Sequence, residues 1–159
     1  MKQVSTGFLK GVVVSIGIAA LALSVLWLPG VAGRDAEAHP ETAYLQYPFL
    51  LCAYLLSIPF FTALYQTFQL LCYIDGNKVF SVRSVKALRY IRYCAILISI
   101  GIAAGITFVM MMIDDDIAGV VGLSLMCTFA SSVIATFAAM LQKLVRDAIE
   151  LQSENELTV

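Results

Sequence analysis

Four runs of this sequence constrain nearly everything else about it. Residues 11–27, 48–71, 93–113 and 117–141 are apolar almost throughout, and none contains Asp, Glu, Lys or Arg. A helix crosses the hydrocarbon core of a bilayer in about 20 residues, and there every backbone N–H and C=O must be satisfied inside the segment. The whole chain is 60 % hydrophobic and 13 % charged, whereas soluble domains run about 45–50 % and about 25 %. A water-soluble globule is thereby excluded. The expected architecture is all-α: a polytopic membrane protein, an antiparallel bundle of four transmembrane helices forming one domain over residues 1–159, with spans at about 9–28, 48–71, 93–113 and 117–141. The third and fourth helices are expected to extend beyond the bilayer, and the loops are too short for a separate catalytic or sensing domain.

Local chemistry suggests where these helices begin and end. Leu28-Pro29-Gly30 is expected to close the first. Pro48 opens the second, because at a first helical position its missing N–H would have been unpaired anyway. Pro59 removes a backbone bond to the carbonyl of Leu55 and predicts a kink. The first run is longer than the 7–15 residues (about) of a signal-peptide core, so it is expected to stay as an uncleaved anchor.

Orientation follows from Lys and Arg in the loops. One side holds Lys2, Lys10, Lys78, Arg83, Lys86, Arg89, Arg92, Lys143 and Arg146, and the other holds only Arg34. This bias predicts cytoplasmic N- and C-termini for a multi-pass protein of a bacterial cytoplasmic membrane. The opposite loops carry Asp35, Glu37, Glu41, Asp114, Asp115 and Asp116, so the overall charge of −1 conceals a strong sorting of charge between the two sides.

The residue inventory disfavours most chemistry. Cys52, Cys72, Cys94 and Cys127 lie in or at the ends of spans and form no C-x-x-C, which fits small apolar packing residues. His39 stands between Glu37 and Glu41, but a zinc site takes three or four ligands in fixed geometry, so a solvated loop is expected. Asp114-Asp115-Asp116 reads as a charged hairpin tip, since adjacent carboxylates alone make no cage. Ion-coupled carriers place a carboxylate in the membrane, and no span has one. Gln66 and Gln69 are the most polar groups near a span, three residues apart on one helix face, with interhelical hydrogen bonding as the expected role. No nucleophile–base pair or phosphate loop is visible; neither enzymatic activity, a cofactor nor a metal is expected.

The basic side is more informative. Asp75-Gly76-Asn77 is turn chemistry, Ser81 suits an N-cap, and no breaker follows, so residues 82–113 read as one helix whose first turns leave the membrane. Arg83, Lys86, Arg89 and Arg92 recur along it, and anionic lipid headgroups reward each such cation by about 1 kcal/mol. Past the fourth span, residues 142–159 read as an amphipathic helix end and a short acidic tail. There Leu141, Leu144, Val145, Ala148 and Ile149 form one apolar face, with Lys143–Asp147 and Arg146–Glu150 spaced as i, i+4 pairs opposite. Such a stripe must cover the end of the second helix, the basic helix or another protein. Gly101 and Gly105, and Ser131, Ala135 and Ala139, form small-residue stripes that allow close packing, within the bundle by default and otherwise in a homo-oligomer.

Taken together, Phe8-Leu9-Lys10, Ile58-Pro59-Phe60, Ile74-Asp75, Lys78-Val79-Phe80-Ser81, Ala87-Leu88 and the ending Glu154-Asn155-Glu156-Leu157-Thr158-Val159 resemble a family of small four-helix membrane proteins from Gram-positive bacteria, catalogued as a domain of unknown function. Genes of that family often stand beside one for a small helix-turn-helix regulator of the Xre type. The resemblance thus implies a membrane-embedded regulatory protein that binds or sequesters such a regulator, and it carries over no catalytic residues. Lys78, Phe80, Ser81, Arg83, Lys86, Arg89, Leu144, Arg146 and Ile149 are the expected partner-binding residues. Direct nucleic-acid binding is disfavoured, because the basic cluster lies so near the bilayer and shares its side with an acidic tail. The alternative is a small permease or an accessory subunit of a transporter, with Gln66, Gln69, Tyr54 and Thr107 as its polar path.

Overall fold

The computed structural model describes residues 2–38, 40–112 and 118–157. His39 and the Asp114-Asp115-Asp116 tip lie outside the described residues, and so do the expectations attached to them. Five α-helices account for nearly all the rest: α1 (Lys2–Ala22), α2 (Leu28–Ala38), α3 (Gln46–Asp75), α4 (Val82–Met112) and α5 (Ala118–Leu157). A π-helical turn, Leu23–Trp27, joins α1 to α2, and a 3-10 segment, Pro40–Leu45, leads into α3. No strand occurs among the described residues. Four helical stretches are long and apolar enough to cross a membrane: Ser5–Ala38, Ala43–Asp75, Val82–Met112 and Gly119–Leu157.

The expected stop at Leu28-Pro29-Gly30 does not end the first helix. Its backbone instead widens by one residue just before the proline, with Leu28 N–H donating to the carbonyl of Leu23, five residues back. In that register the carbonyl deprived of a donor by Pro29 is that of Ser24. The hydroxyl of Tyr54 on α3 donates to it at 3.2 Å. The proline defect is thus absorbed by a π-turn and a side chain from the neighbouring helix, a known way for membrane helices to tolerate proline. Pro48 falls inside the first turn of α3, which begins at Gln46, and Pro59 lies within that helix without ending it.

The helices pack in chain order: α1 on α3, α3 on α4, α4 on α5. Each pair is antiparallel, as the matched positions show. Lys10 meets Asp75, a Cβ on Gly17 would lie 3.0 Å from Leu64, and Ser24 meets Tyr54. Between α3 and α4 the Gly101-x-x-x-Gly105 stripe does the packing. A Cβ on Gly101 would collide with the Leu56 side chain, and one on Gly105 would touch Cys52 Sγ at 3.8 Å. That stripe therefore serves the contact inside the chain. In lipid no hydrophobic force drives helices together, so close backbone approach of this kind supplies the contact.

Burial is concentrated at one end. Leu71, Ser84, Val85, Ala87, Leu88, Ile91 and Val145 are all buried, whereas most large side chains in the spans are exposed, as lipid-facing groups are. Val85, Leu88 and Val145 form the centre of this core, with Leu70 and Ile149 packed against it. Three helices thus meet where the basic residues gather. The α5 helix continues to Leu157, so the segment expected to be an acidic tail is helical at least that far. At 40 residues it is about 60 Å long, roughly twice the hydrocarbon thickness.

Candidate functional site

The link between α3 and α4 is fixed from both sides by backbone chemistry. At the end of α3, Lys78 N–H donates to the Tyr73 carbonyl at 2.9 Å, and Asn77 N–H donates to the Ile74 carbonyl at 3.2 Å. These are the two bonds of a Schellman ending, with Asn77 as the left-handed residue at φ 53°. Asn, rather than the neighbouring Gly76, takes that position, which its short polar side chain tolerates. At the start of α4, Ser81 accepts a hydrogen bond from Ser84 N–H on its Oγ at 3.4 Å, while its carbonyl accepts from Val85 N–H at 3.3 Å. Ser81 is therefore the N-cap that the sequence predicted.

Ser84 closes the loop. It has no solvent exposure, and a buried hydroxyl needs a partner. Its Oγ donates to the Lys78 carbonyl at 3.4 Å and lies 3.3 Å from Ser81 Oγ. Lys78, Val79 and Phe80 are held between the two helix ends, and the Phe80 side chain is nevertheless 59 % exposed. Sequence reasoning missed Ser84 because its importance comes from burial, and a serine inside a basic helix gives no such signal.

A second tie joins this end to α1. Lys10 Nζ donates to Asp75 Oδ2, Asp75 is also hydrogen-bonded by the Thr6 side chain, and the Cys72 thiol lies beside Lys10. The pair is partly exposed, which limits its strength, but it spans 65 positions of sequence and no local pattern announces it. In the sequence Lys10 bears on orientation and Asp75 on the turn, and both belong to the stretches that carry the family resemblance, but neither signals the pair.

The expected partner-binding residues divide into two groups. Lys78, Phe80, Arg83, Lys86, Arg89, Leu144 and Arg146 are exposed. On α4 the buried positions 84, 85, 87, 88, 91, 94 and 95 cover about half of the helix, and at 100° per residue Lys86 falls opposite them, with Arg83 and Arg89 toward the two edges. Ser81 and Ile149 are otherwise occupied: Ser81 caps α4, and Ile149 packs on the core cluster. The apolar stripe of α5 therefore splits. Val145 and Ile149 cover α4 and the end of α3, while Leu144 remains 62 % exposed. The i, i+4 partners Lys143–Asp147 and Arg146–Glu150 form no ion pair among the described residues.

Apart from Tyr54, the span hydroxyls and Gln69 that hydrogen-bond do so on their own helices. Gln69 Nε2 donates to Tyr65 Oη at 2.7 Å, and Tyr73 Oη donates to Gln69 Oε1 at 3.3 Å, a ladder along one face of α3. Gln69 is thus satisfied within its helix, where an interhelical bond had been expected, while Gln66 is half-buried on the same helix. Thr62, Thr67, Ser99, Thr107, Ser132 and Thr136 each donate to the carbonyl four residues back. Among the described residues no group of three or more His, Cys, Asp or Glu is placed to hold a metal ion, and the four cysteines are free thiols.

Four apolar helical spans with a compact, cation-rich end define a small multi-span α-helical membrane protein. The chain belongs to the family described as "Protein of unknown function (DUF2975)", whose model matches residues 30–159. It is 51 % identical over 160 residues to an uncharacterized membrane protein, YoaS, of Bacillus subtilis (strain 168), and the alignment covers all of both chains. The family match leaves out α1, whereas the alignment with the Bacillus relative includes it. No solved structure matches the chain.

Proposed function

We propose that this protein is a non-enzymatic regulatory component of a bacterial cytoplasmic membrane, whose basic end stands in the cytoplasm and holds a small helix-turn-helix regulator at the membrane. The observation that carries the reading is Phe80, an aromatic side chain 59 % exposed on a loop tied down at both ends. An exposed aromatic on a pre-ordered loop is the kind of anchor that dominates protein interfaces, since little entropy is lost when it docks. Lys78 and Arg83 flank it in sequence, Lys86 and Arg89 continue the positive charge along α4, and Leu144 and Arg146 are exposed on either side of buried Val145 on α5. The matching partner carries an acidic, apolar-centred patch on the face away from its own basic DNA-binding surface. The nine-to-one distribution of Lys and Arg supports the orientation, and the regulator genes that accompany the resembled family support the choice of partner. A permease fits less well, because Gln69 and Thr107 are engaged in intrahelical bonds and Tyr54 in a bond to the Ser24 carbonyl.

The test is site-specific photocrosslinking in native membranes, with the crosslinker at Phe80, at Leu144 and, as an internal control, at Ile149. The proposal expects a helix-turn-helix protein captured from the first two positions, reduced when Arg83 and Lys86 are neutralised, and only intrachain α5–α3 or α5–α4 products from Ile149. Capture of lipid alone at Phe80 and Leu144 would remove the regulator from the account.

A further inference from the structure

Between α4 and α5 runs a shallow groove of about 450 Å³ that opens to the lipid, lined by Arg92, Ile96, Ser99 and Ile100 on α4 and by Ser132, Ala135, Thr136 and Ala139 on α5. Its chemistry is more apolar than its residue names suggest. Ser99, Ser132 and Thr136 donate their hydroxyl protons to the carbonyls of Ala95, Thr128 and Ser132 at 3.0, 2.8 and 2.9 Å. They therefore present small carbon surfaces between the isoleucines. From Arg92 to Ile100 the groove extends about 12 Å along α4 at 1.5 Å per residue. A second concavity of about 410 Å³ adjoins it, sharing Ser132 and Thr136.

Arg92 marks one end of the groove. It is half-buried, its guanidinium lies 5.6 Å from the Tyr93 ring centre, and no carboxylate pairs with it among the described residues. One turn further from the membrane centre stand Arg89 on α4 and Lys143 on α5, both exposed. An unpaired guanidinium at the edge of the hydrocarbon is costly unless an anion meets it, and a phosphate is the anion whose geometry a guanidinium fits best.

We propose that this groove is a binding site for a diacyl phospholipid with an anionic headgroup, drawn from the leaflet on the basic side, its phosphate on Arg92 and its acyl chains along the α4–α5 groove and the adjoining concavity. The site differs from general attraction of the basic helix to a charged surface, because it couples a headgroup contact to a fixed apolar track. It is also independent of any soluble partner at Phe80.

The experiment reads lipid occupancy at the groove. In the full-length protein with Trp27→Phe, a reporter is introduced by Ile96→Trp, inside the groove, or by Leu97→Trp, at the same depth on the lipid-facing side of α4. Each is reconstituted in vesicles with brominated phosphatidylglycerol or brominated phosphatidylcholine as quencher. The expected result is that the anionic lipid quenches the reporter at position 96 at about one-fifth the mole fraction the zwitterionic lipid needs, the ratio that corresponds to ~1 kcal/mol per cation. The reporter at position 97 should show no preference. Arg92→Gln should abolish the preference at 96, Arg92→Lys should keep part of it, and Ala135→Phe should reduce quenching by blocking the track. Equal quenching by both lipids at position 96, a preference that survives Arg92→Gln, or a groove closed to both lipids by a second copy of the chain, seen as α5–α5 crosslinks, would each overturn the proposal.

Discussion

Replacing Leu88 by Ala should loosen the basic end of the molecule while leaving the spans in place. Leu88 is 3 % exposed and sits at the junction of α3, α4 and α5, in one cluster with Val85 and Val145 against which Leu70 and Ile149 pack. It lies among Arg83, Lys86, Arg89 and Arg92; if that cationic part of α4 stands outside the hydrocarbon, as proposed, water is the competing environment there and the hydrophobic effect applies in full. Truncating a buried leucine there costs about 2–5 kcal/mol, the transfer term plus the cavity left behind. That loss corresponds to an increase of about 30- to 5,000-fold in the equilibrium constant for local opening. Hydrogen exchange by mass spectrometry on the protein in nanodiscs reads this directly, in peptides covering positions 82–91 and 142–157. Leu125→Ala makes the same chemical change on α5, but Leu125 is 71 % exposed and faces lipid, so its effect should stay within about 0.5 kcal/mol. If Leu88→Ala left the 142–157 peptides unchanged, or if the two variants behaved alike, the three-helix core at this end would be refuted.

Three further results are expected. Lys10→Glu or Asp75→Lys alone should lower the thermal unfolding midpoint in detergent, and the exchanged pair Lys10→Glu/Asp75→Lys should recover much of the loss; failure to recover would dissociate the two residues. Gly101→Leu should destabilise the α3–α4 contact by about 1–3 kcal/mol through overpacking against Leu56, whereas Gly122→Leu, with no atom within 4 Å of its Cβ position, should leave the midpoint unchanged. Tyr54→Phe removes the donor to the Ser24 carbonyl and should cost about 0.6–2 kcal/mol, an effect that shrinks in a Pro29→Ala background because residue 29 then supplies an N–H of its own.

What the sequence reveals and what it hides follow from the range of the forces involved. Runs without charge announce spans because the bilayer penalises each buried charge separately, a rule that needs no knowledge of neighbours. The Ser81 cap and the Asp75-Gly76-Asn77 turn are equally local, and they emerge as expected. Pro29 misleads for the opposite reason. Read alone it ends a helix, but a π-turn and the Tyr54 hydroxyl from another helix accommodate it. The apolar stripe of α5 was visible by its period, yet its division into buried Val145 and Ile149 and exposed Leu144 depends on where α3 and α4 lie. The same holds for the Lys10–Asp75 pair, for Ser84 and for the groove beside Arg92. Each is made by helices brought together from distant sequence, and side-chain identity alone does not signal it.

The functional account stands on the basic end lying in the cytoplasm. A membrane-impermeant thiol reagent tests this most directly, applied to Lys78→Cys in a variant whose four native cysteines are replaced by Ala. The account predicts that intact cells protect position 78 and that inverted membrane vesicles expose it to full labelling. Labelling of position 78 in intact cells would turn the molecule over and contradict a cytoplasmic docking surface at Phe80.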